Sequence, residues 1–136
     1  MNAVAKKNIQ SATLEDVQIN FRNFAGKPTN FNPNGGKRDF AVFLKPEDAL
    51  QMARDGWNVK QLKVREEGDI PQDYITVKVN YNGRPPRVVI LTSKGKTPLD
   101  EGLIEILDWA DILSCDVTIR PYHYDVNGSQ GVSAYL

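Results

Sequence analysis

The chain has 136 residues, 40% of them hydrophobic and 25% charged, and its formal net charge is zero. This length suits one domain with its own core, and the composition is globular rather than disordered or fibrous. One cysteine and one histidine exclude an internal disulfide and argue against a structural zinc site. No apolar run could span a bilayer or act as a secretory signal, so we expect a soluble intracellular protein.

The charges are segregated along the chain. Residues 1–97 contain 16 Lys and Arg against 10 Asp and Glu, whereas residues 98–136 contain one Arg against seven acids. A basic surface of this kind favours a polyanionic partner. Two solvated faces that differ in sign by chance would give the same distribution, so both interpretations stay open.

The N-terminal part of the chain predicts one strand and one long loop. Residues 1–12 have no clear period and are expected to be partly ordered, ahead of a single domain over 13–136. Residues 14–24 alternate and predict a strand with Val17, Ile19 and Phe21 facing the core and Arg22 facing outward.

The following loop carries an aromatic residue among cations. Residues 26–38 are rich in turn formers, with Phe31 in the middle and Lys37 and Arg38 at the end. An exposed Phe31 on such a loop would suit stacking on a nucleic-acid base. It could equally tuck under the loop as a local anchor.

The central part of the chain predicts strands over 39–44 and 59–65, with a short helix between Pro46 and Gly56. The first of these strands is apolar on both faces and should lie in the middle of the sheet. The helix should pack on the sheet through four apolar side chains, namely Ala49, Leu50, Met52 and Ala53.

Residues 74–81 show the cleanest alternation in the sequence. Ile75, Val77 and Val79 share one face, while Tyr74 and Lys78 share the other. The dipeptide at 82–83, Asn-Gly, is a hairpin signal, so this strand is predicted to pair with the next one, which starts at Arg87 and ends at 92.

A helix is predicted over residues 98–111. Thr97 suits its N-cap and Pro98 its first position. Apolar residues recur at helical spacing and form a stripe, and Trp109 beside that stripe is expected in the core. The acidic residues of the segment should then lie on the solvent side, namely Asp100, Glu101, Glu105, Asp108 and Asp111.

Two strands are predicted at the C-terminus, over residues 116–124 and 132–136. Alternation in the first sends Arg120, Tyr122 and Tyr124 to one face, opposite a core face. An arginine with two tyrosines on a sheet surface is suited to stacking bases and neutralising phosphates. Tyrosine also packs well on any half-buried strand, so ordinary surface packing is the alternative.

Catalytic chemistry finds no support in the sequence. The single Cys115 and His123 have no defensible nucleophile and base geometry, and no glycine-rich phosphate loop is present. The acids of the predicted second helix match a solvated surface better than a metal site. We therefore predict no catalytic residue, no metal and no cofactor.

The predicted fold is mainly β, an antiparallel barrel of the oligonucleotide-binding (OB) type with short helices. Outward positions of several strands repeat cations and aromatic residues, and mobile loops lie between the strands. Small barrels of the OB type bind nucleic acid on such a face.

Six segments carry a resemblance to a known family: 23–26 (NFAG), 39–42 (DFAV), 55–60 (DGWNVK), 83–88 (GRPPRV), 107–111 (LDWAD) and 131–136 (GVSAYL). The chain resembles bacteriophage single-stranded DNA-binding replication proteins with an OB barrel, over about residues 11–136. The resemblance implies DNA binding in the cytoplasm of the infected bacterial host. Such proteins commonly end in an acidic tail that recruits replication partners. This sequence has no such tail, and its last apolar alternation is still running at residue 136, so we expect a truncated C-terminus. Phage or host replication proteins are expected as further partners through the missing tail.

The sequence thus predicts sequence-tolerant binding of single-stranded DNA during phage replication or recombination, without an enzymatic activity. The rival interpretation is a protein-interaction module of the replisome or virion. The predicted DNA-binding residues are cations and aromatic residues on outward strand positions or in the loop over residues 26–38. They are Arg22, Phe31, Lys37, Arg38, Tyr74, Lys78, Arg87, Arg120, Tyr122 and Tyr124.

Overall fold

The computed structural model describes residues 10–63, 66–68 and 70–136. It contains eight strands, one α-helix and one 3₁₀ helix in these ranges. In chain order they are β1 (Ala12–Asn23), β2 (Arg38–Leu44), α1 (Pro46–Asp55), β3 (Val59–Gln61), β4 (Asp73–Val79), β5 (Val88–Thr92), β6 (Gly95–Leu99), the 3₁₀ helix (Ile104–Asp108), β7 (Cys115–Val126) and β8 (Ser129–Tyr135).

Five strands form a closed cycle of pairings. The cycle runs from β1 to β2, β4, β8 and β7 and back to β1. Four of the pairings are antiparallel, and the one between β4 and β8 is parallel, with Val77 opposite Ala134 and Lys78 opposite Tyr135. The predicted mainly β, OB-like fold is confirmed, except that one pairing departs from a purely antiparallel ladder.

The core lies inside this ring. Val42, Val77 and Ile119 are fully buried, and each lies on a different strand of the ring. The alternation predicted for residues 74–81 is confirmed, because Ile75 and Val79 are also buried. That predicted for 116–124 is confirmed as far as Ile119, since Val117 is buried as well, whereas no later residue of this strand is. Each such side chain contributes roughly 1.5–3 kcal/mol to folding by leaving water.

The predicted first helix is present as α1. Pro46 opens it and Gly56 ends it with a φ of 105°, a left-handed conformation that glycine adopts without strain. Ala49 and Met52 are buried against the core, whereas Leu50 is 55% exposed. Ala53 is exposed as well, so the prediction that Leu50 and Ala53 pack on the sheet was wrong.

A β-bulge near the end of β1 corrects the predicted orientation of two side chains. The pairing with β2 shifts register between Asn20 and Asn23, and Phe21 has a φ of 51°. A bulge re-aims the side chains of its strand. Phe21 is consequently 63% exposed instead of buried, and Phe24, only 1% exposed, enters the core in its place. Arg22 turns inward and does not face solvent as predicted.

The predicted pairing of residues 74–81 with 87–92 was wrong. β4 pairs with β2, β3 and β8, whereas β5 pairs with β6 in a separate two-stranded sheet. Residues 93–94 form the turn of this hairpin, and Gly95 follows with a φ of 127°. The Asn82-Gly83 signal lies instead in the linker from β4 to β5, where Gly83 has a φ of 81°.

The predicted helix over 98–111 was also wrong. Thr97 and Pro98 lie in β6, opposite Ile90 and Val89, so the chain is still extended where the N-cap was placed. Proline is tolerated there because β6 is an edge strand. The only regular helix left in this segment is the 3₁₀ helix, and Trp109, which was expected in the core, is 72% exposed.

Candidate nucleic-acid interface

A groove on the sheet surface opens where β4 and β8 diverge. β7 contributes Tyr122 and Tyr124, and β8 contributes Tyr135. Lys78 on β4 and Lys60 on β3 lie along its other side. We call this the tyrosine groove. It places three aromatic rings next to two ammonium groups.

The aromatic rings of the groove are held by contacts between strands. The centroids of Tyr122 and Tyr135 are 5.8 Å apart, and the rings meet at 67°, an edge-to-face arrangement. Lys78 Nζ lies 5.9 Å from the centroid of Tyr135 and 3.4 Å from Ser133 Oγ. Tyr122 nevertheless remains 59% exposed. An accessible ring with a cation nearby is an arrangement suited to stacking a base and contacting its phosphate.

The ring of Tyr124 lies across Gly131, its partner in the pairing of β7 with β8. A Cβ at position 131 would overlap with the Oη and Cζ atoms of Tyr124. Any larger residue at this position would have to displace the tyrosine ring. The contact fixes Tyr124 against β8 at one end of the groove.

We expect Gly131→Ala to displace the Tyr124 ring and to lower the free energy of unfolding by on the order of 1 kcal/mol. Urea denaturation would measure the loss. Ser133→Ala, on the same face of β8, is the matched control and should be close to neutral. Adding Tyr124→Ala to Gly131→Ala should remove most of the penalty, and a penalty that persists would contradict this contact as its cause.

A second aromatic group lies on the same face of the sheet. Phe21, Phe43 and Tyr74 form edge-to-face pairs, with centroids 6.0 Å apart for Phe21 and Phe43 and 6.4 Å apart for Phe21 and Tyr74. We call these three residues the phenylalanine cluster. Tyr74 and Lys78 point to the same side of β4 because they are four residues apart. One face thus carries both aromatic groups, with Lys78 and Thr76 between them.

A carboxylate lies among the lysines of this face. Asp39 on β2 is paired with Lys78 on β4. Partial burial raises the pKa of Asp39 above the ordinary 3.8, and the opposing charges of Lys37, Lys60 and Lys78 only partly offset that effect. Ionised Asp39 would repel a nucleic-acid phosphate, and protonated Asp39 would not.

We expect Asp39→Asn to strengthen binding to oligo-dT by about fivefold at about 0.1 M salt, the effect of one charge in single-strand binding. Affinity should rise as the pH falls through the raised pKa, and it should rise more in the unsubstituted protein than in the variant, which lacks this carboxyl group. Burial favours the protonated form of Asp39. The free energy of unfolding should therefore fall as the pH rises from 3.8 through the raised pKa, because the folded protein must then hold an ionised, partly buried carboxylate. Urea denaturation and DNA titrations at about pH 4.5 and 7 would measure both effects, and equal pH profiles for the two proteins would contradict them.

Phe31 and Lys37 lie in the loop between β1 and β2. Phe31 is 99% exposed, so the alternative of a local anchor under the loop is wrong. The loop is closed at its base by a hydrogen bond of 2.8 Å from the amide of Gly36 to the carbonyl of Gly26. Lys37 is exposed beside β2 and close enough to Asp39 to affect its pKa.

Three of the predicted arginines are engaged within the fold. Arg22 Nη1 donates to the carbonyls of Leu107 and Ala110 at 3.0 and 2.8 Å. Arg38 Nη2 lies 3.3 Å from Glu101 Oε2, and its guanidinium lies 5.2 Å from the Tyr81 ring centroid.

Arg120 Nη2 donates to the carbonyls of Arg84 and Leu136 at 3.4 and 3.3 Å. Like the other two, this guanidinium fixes segments of the chain to one another. Arg87, the fourth arginine predicted to bind DNA, is exposed just before β5.

Four residues of this face were not predicted from the sequence, namely Phe21, Phe43, Lys60 and Tyr135. The outward orientation of Tyr135 could have been predicted from the sequence, because Val132 and Ala134 are buried and the alternate positions of β8 therefore point outward. Phe43 lay in a strand that is apolar on both faces, and Phe21 depends on the bulge. No feature of the sequence indicates that bulge.

An OB-like ring of strands with aromatic residues and lysines on one face has the features of proteins that bind nucleic acid without reading its sequence. The comparison with family models identifies the chain more closely. It belongs to the family described as "Putative phage ssDNA-binding domain", whose model covers residues 1–136. Neither curated proteins nor solved structures gave a significant match. In the part of the chain that the structure describes, no helix is long and apolar enough to cross a membrane.

Proposed function

We propose that the protein binds single-stranded DNA without sequence preference during phage DNA replication or recombination, in the cytoplasm of the infected host. The observation that carries this proposal is the single sheet face on which Tyr122 and Tyr135 lie beside Lys78, with the phenylalanine cluster further along. Family membership supports the class of ligand. Binding rather than catalysis is the role that this surface fits.

Stacking supplies the part of the affinity that does not depend on salt. Each base stacked on an aromatic ring contributes about 1–3 kcal/mol and any base can take part, because every base has a π face. Tyr122 and Phe21 are the most accessible aromatic residues of this face, with exposures of 59% and 63%. We place one base on the ring of each.

Lysines supply the part of the affinity that depends on salt. Lys37, Lys60 and Lys78 lie close enough to Asp39 for their charges to act on its pKa, and they would neutralise phosphates between the stacked bases. Each phosphate neutralised on a single strand adds about 0.7 to the slope of log affinity against log salt. A duplex hides its bases, so it would gain only this electrostatic part.

Fluorescence-anisotropy titration of labelled oligo-dT and a matched duplex across a salt series tests this function. We expect strong preference for the single strand, with a residual affinity near 1 M salt that the duplex lacks. Equal and weak binding to both would contradict the proposal. Comparing oligo-dT with mixed-sequence oligonucleotides tests the sequence tolerance.

One observation favours the second candidate, a protein-interaction module of the replisome or virion. Trp109 and Leu113 are 72% and 96% exposed in the segment between the 3₁₀ helix and β7. Tryptophan is enriched among the residues that contribute most to protein contacts. A pull-down with the immobilised protein tests this candidate. It would be favoured if a phage or host replication protein binds to the unsubstituted protein but not to Trp109→Ala, and if DNA affinity is no better than nonspecific.

A further inference from the structure

The hairpin of β5 and β6 forms no pairing with the five-stranded ring. Val88 and Ile90 pack against the core and Leu99 is buried, which anchors one face of the hairpin. The other face is open, with Val89 37% and Leu91 70% exposed. A strand of five residues extends about 17 Å, so the tip of the hairpin lies well away from its base.

Every charged side chain of the hairpin and of the linker before it is positive. Residues 74–99 contain no acid, and after Lys78 they contain four more cations, namely Arg84, Arg87, Lys94 and Lys96. All four are exposed, and in the described part of the chain none of them forms a salt bridge. The acids that follow are already engaged: Glu101 pairs with Arg38, and Asp100 Oδ1 accepts from the amide of Leu103 at 3.0 Å.

The linker meets the end of the tyrosine groove. Arg120 Nη2 donates to the carbonyl of Arg84 in the linker and to that of Leu136 just after β8. The amide of Leu136 in turn donates to the carbonyl of Lys78 at 2.9 Å. The basic linker therefore starts where Lys78 and Tyr135 line the groove, and it leads from there to the hairpin.

From this continuity we propose that the hairpin is a second contact site for single-stranded DNA, which binds phosphates of the strand after it leaves the tyrosine groove. The inference rests on the proposed function. The hairpin offers cations and aliphatic side chains but no aromatic residue, so it binds the backbone and not the bases. Its contribution exists only for a strand long enough to reach from the groove to the hairpin.

Affinity as a function of oligonucleotide length tests this site. Single OB folds cover about 4–16 nucleotides, so oligo-dT of about 4 to 24 nucleotides spans the range. For Lys94→Gln/Lys96→Gln we expect unchanged affinity for the shortest oligonucleotide. For the longest we expect a salt slope lower by about 1.4 and an affinity about 25-fold lower at 0.1 M salt.

The matched control removes two exposed lysines that lie neither on the hairpin nor among the groove residues, in Lys45→Gln/Lys63→Gln. It should show no dependence on length. An equal loss at every length, a loss equal to that of the control, or no loss would each overturn the hairpin site. A change in sedimentation of the DNA-free hairpin variant would also overturn it, because the hairpin would then be a contact between protein chains. These outcomes differ from a failure of the proposed function, in which the unsubstituted protein would show no preference for single-stranded DNA at any length.

Discussion

Tyr122→Ala is expected to weaken binding to oligo-dT by about 5- to 150-fold, which corresponds to the roughly 1–3 kcal/mol that one stacked base contributes. The ring is 59% exposed and is held edge to face by Tyr135, so it is both accessible and fixed. Because the loss comes from stacking, it should be the same at low and high salt. Anisotropy titrations at several salt concentrations would measure it.

Two variants control for effects other than stacking. Tyr122→Phe keeps the ring and should bind close to normally. His123→Ala changes the next residue of β7, which is also exposed, and should leave affinity unchanged. If Tyr122→Ala binds oligo-dT as well as the unsubstituted protein does, the tyrosine groove is not the binding site.

The largest expected effect on stability comes from Asp108→Ala. The carboxylate of Asp108 accepts hydrogen bonds from the amides of Phe24 and, at 3.1 Å, Ala25. It thereby ties the 3₁₀ helix to the end of β1, where the bulge turns Phe21 outward. Its removal leaves two partly buried amides without their charged acceptor, and we expect a loss of about 2–4 kcal/mol in the free energy of unfolding.

Urea denaturation of Asp108→Ala measures this effect. Asp111→Ala, which removes an exposed acid of the same segment, is the control. Asp111→Ala should change stability by less than about 0.5 kcal/mol. Similar small changes in both variants would show that the contacts of Asp108 with β1 contribute little to stability. DNA binding of the folded fraction should also fall in Asp108→Ala, because the orientation of Phe21 depends on the same end of β1.

The parts of the fold that follow from local pattern were predictable. In β4 and the first half of β7 a period of two separates core from surface. The outward positions of Tyr74 and Lys78 could therefore be read directly, and that of Tyr122 by extending the period beyond Ile119. The start of α1 at Pro46 and its end at Gly56 were equally readable, because each residue has a conformational reason to be there.

Other features depend on contacts that the local sequence does not contain. Thr97 and Pro98 are good helix-start residues, yet pairing with Val89 and Ile90 keeps them extended. Tertiary pairing overrides local propensity in such cases. Asp108 was assigned to a solvent-facing helix side, but the amides it binds lie more than 80 residues away in the chain.

The residues of the site also divide into those that local pattern predicts and those that depend on distant contacts. Lys78 and Tyr122 were found from strand alternation, whereas Phe21 was assigned to the core because a bulge cannot be inferred from period-two spacing. The sequence predicts Arg22 as a cation on an outward strand position and Arg38 as a cation at the end of the loop over residues 26–38. The carbonyls and the carboxylate that bind them become visible only when distant segments are brought together.

The most direct test of the central claim is an NMR titration of the isotope-labelled protein with a short oligo-dT, following amide and aromatic chemical shifts. We predict the largest changes on the sheet face, at Thr76, Lys78, Tyr122, Ser133 and Tyr135, and little change along α1 or around Trp109. Changes centred on Trp109 and Leu113, or none on the sheet face at saturating DNA, would contradict the account.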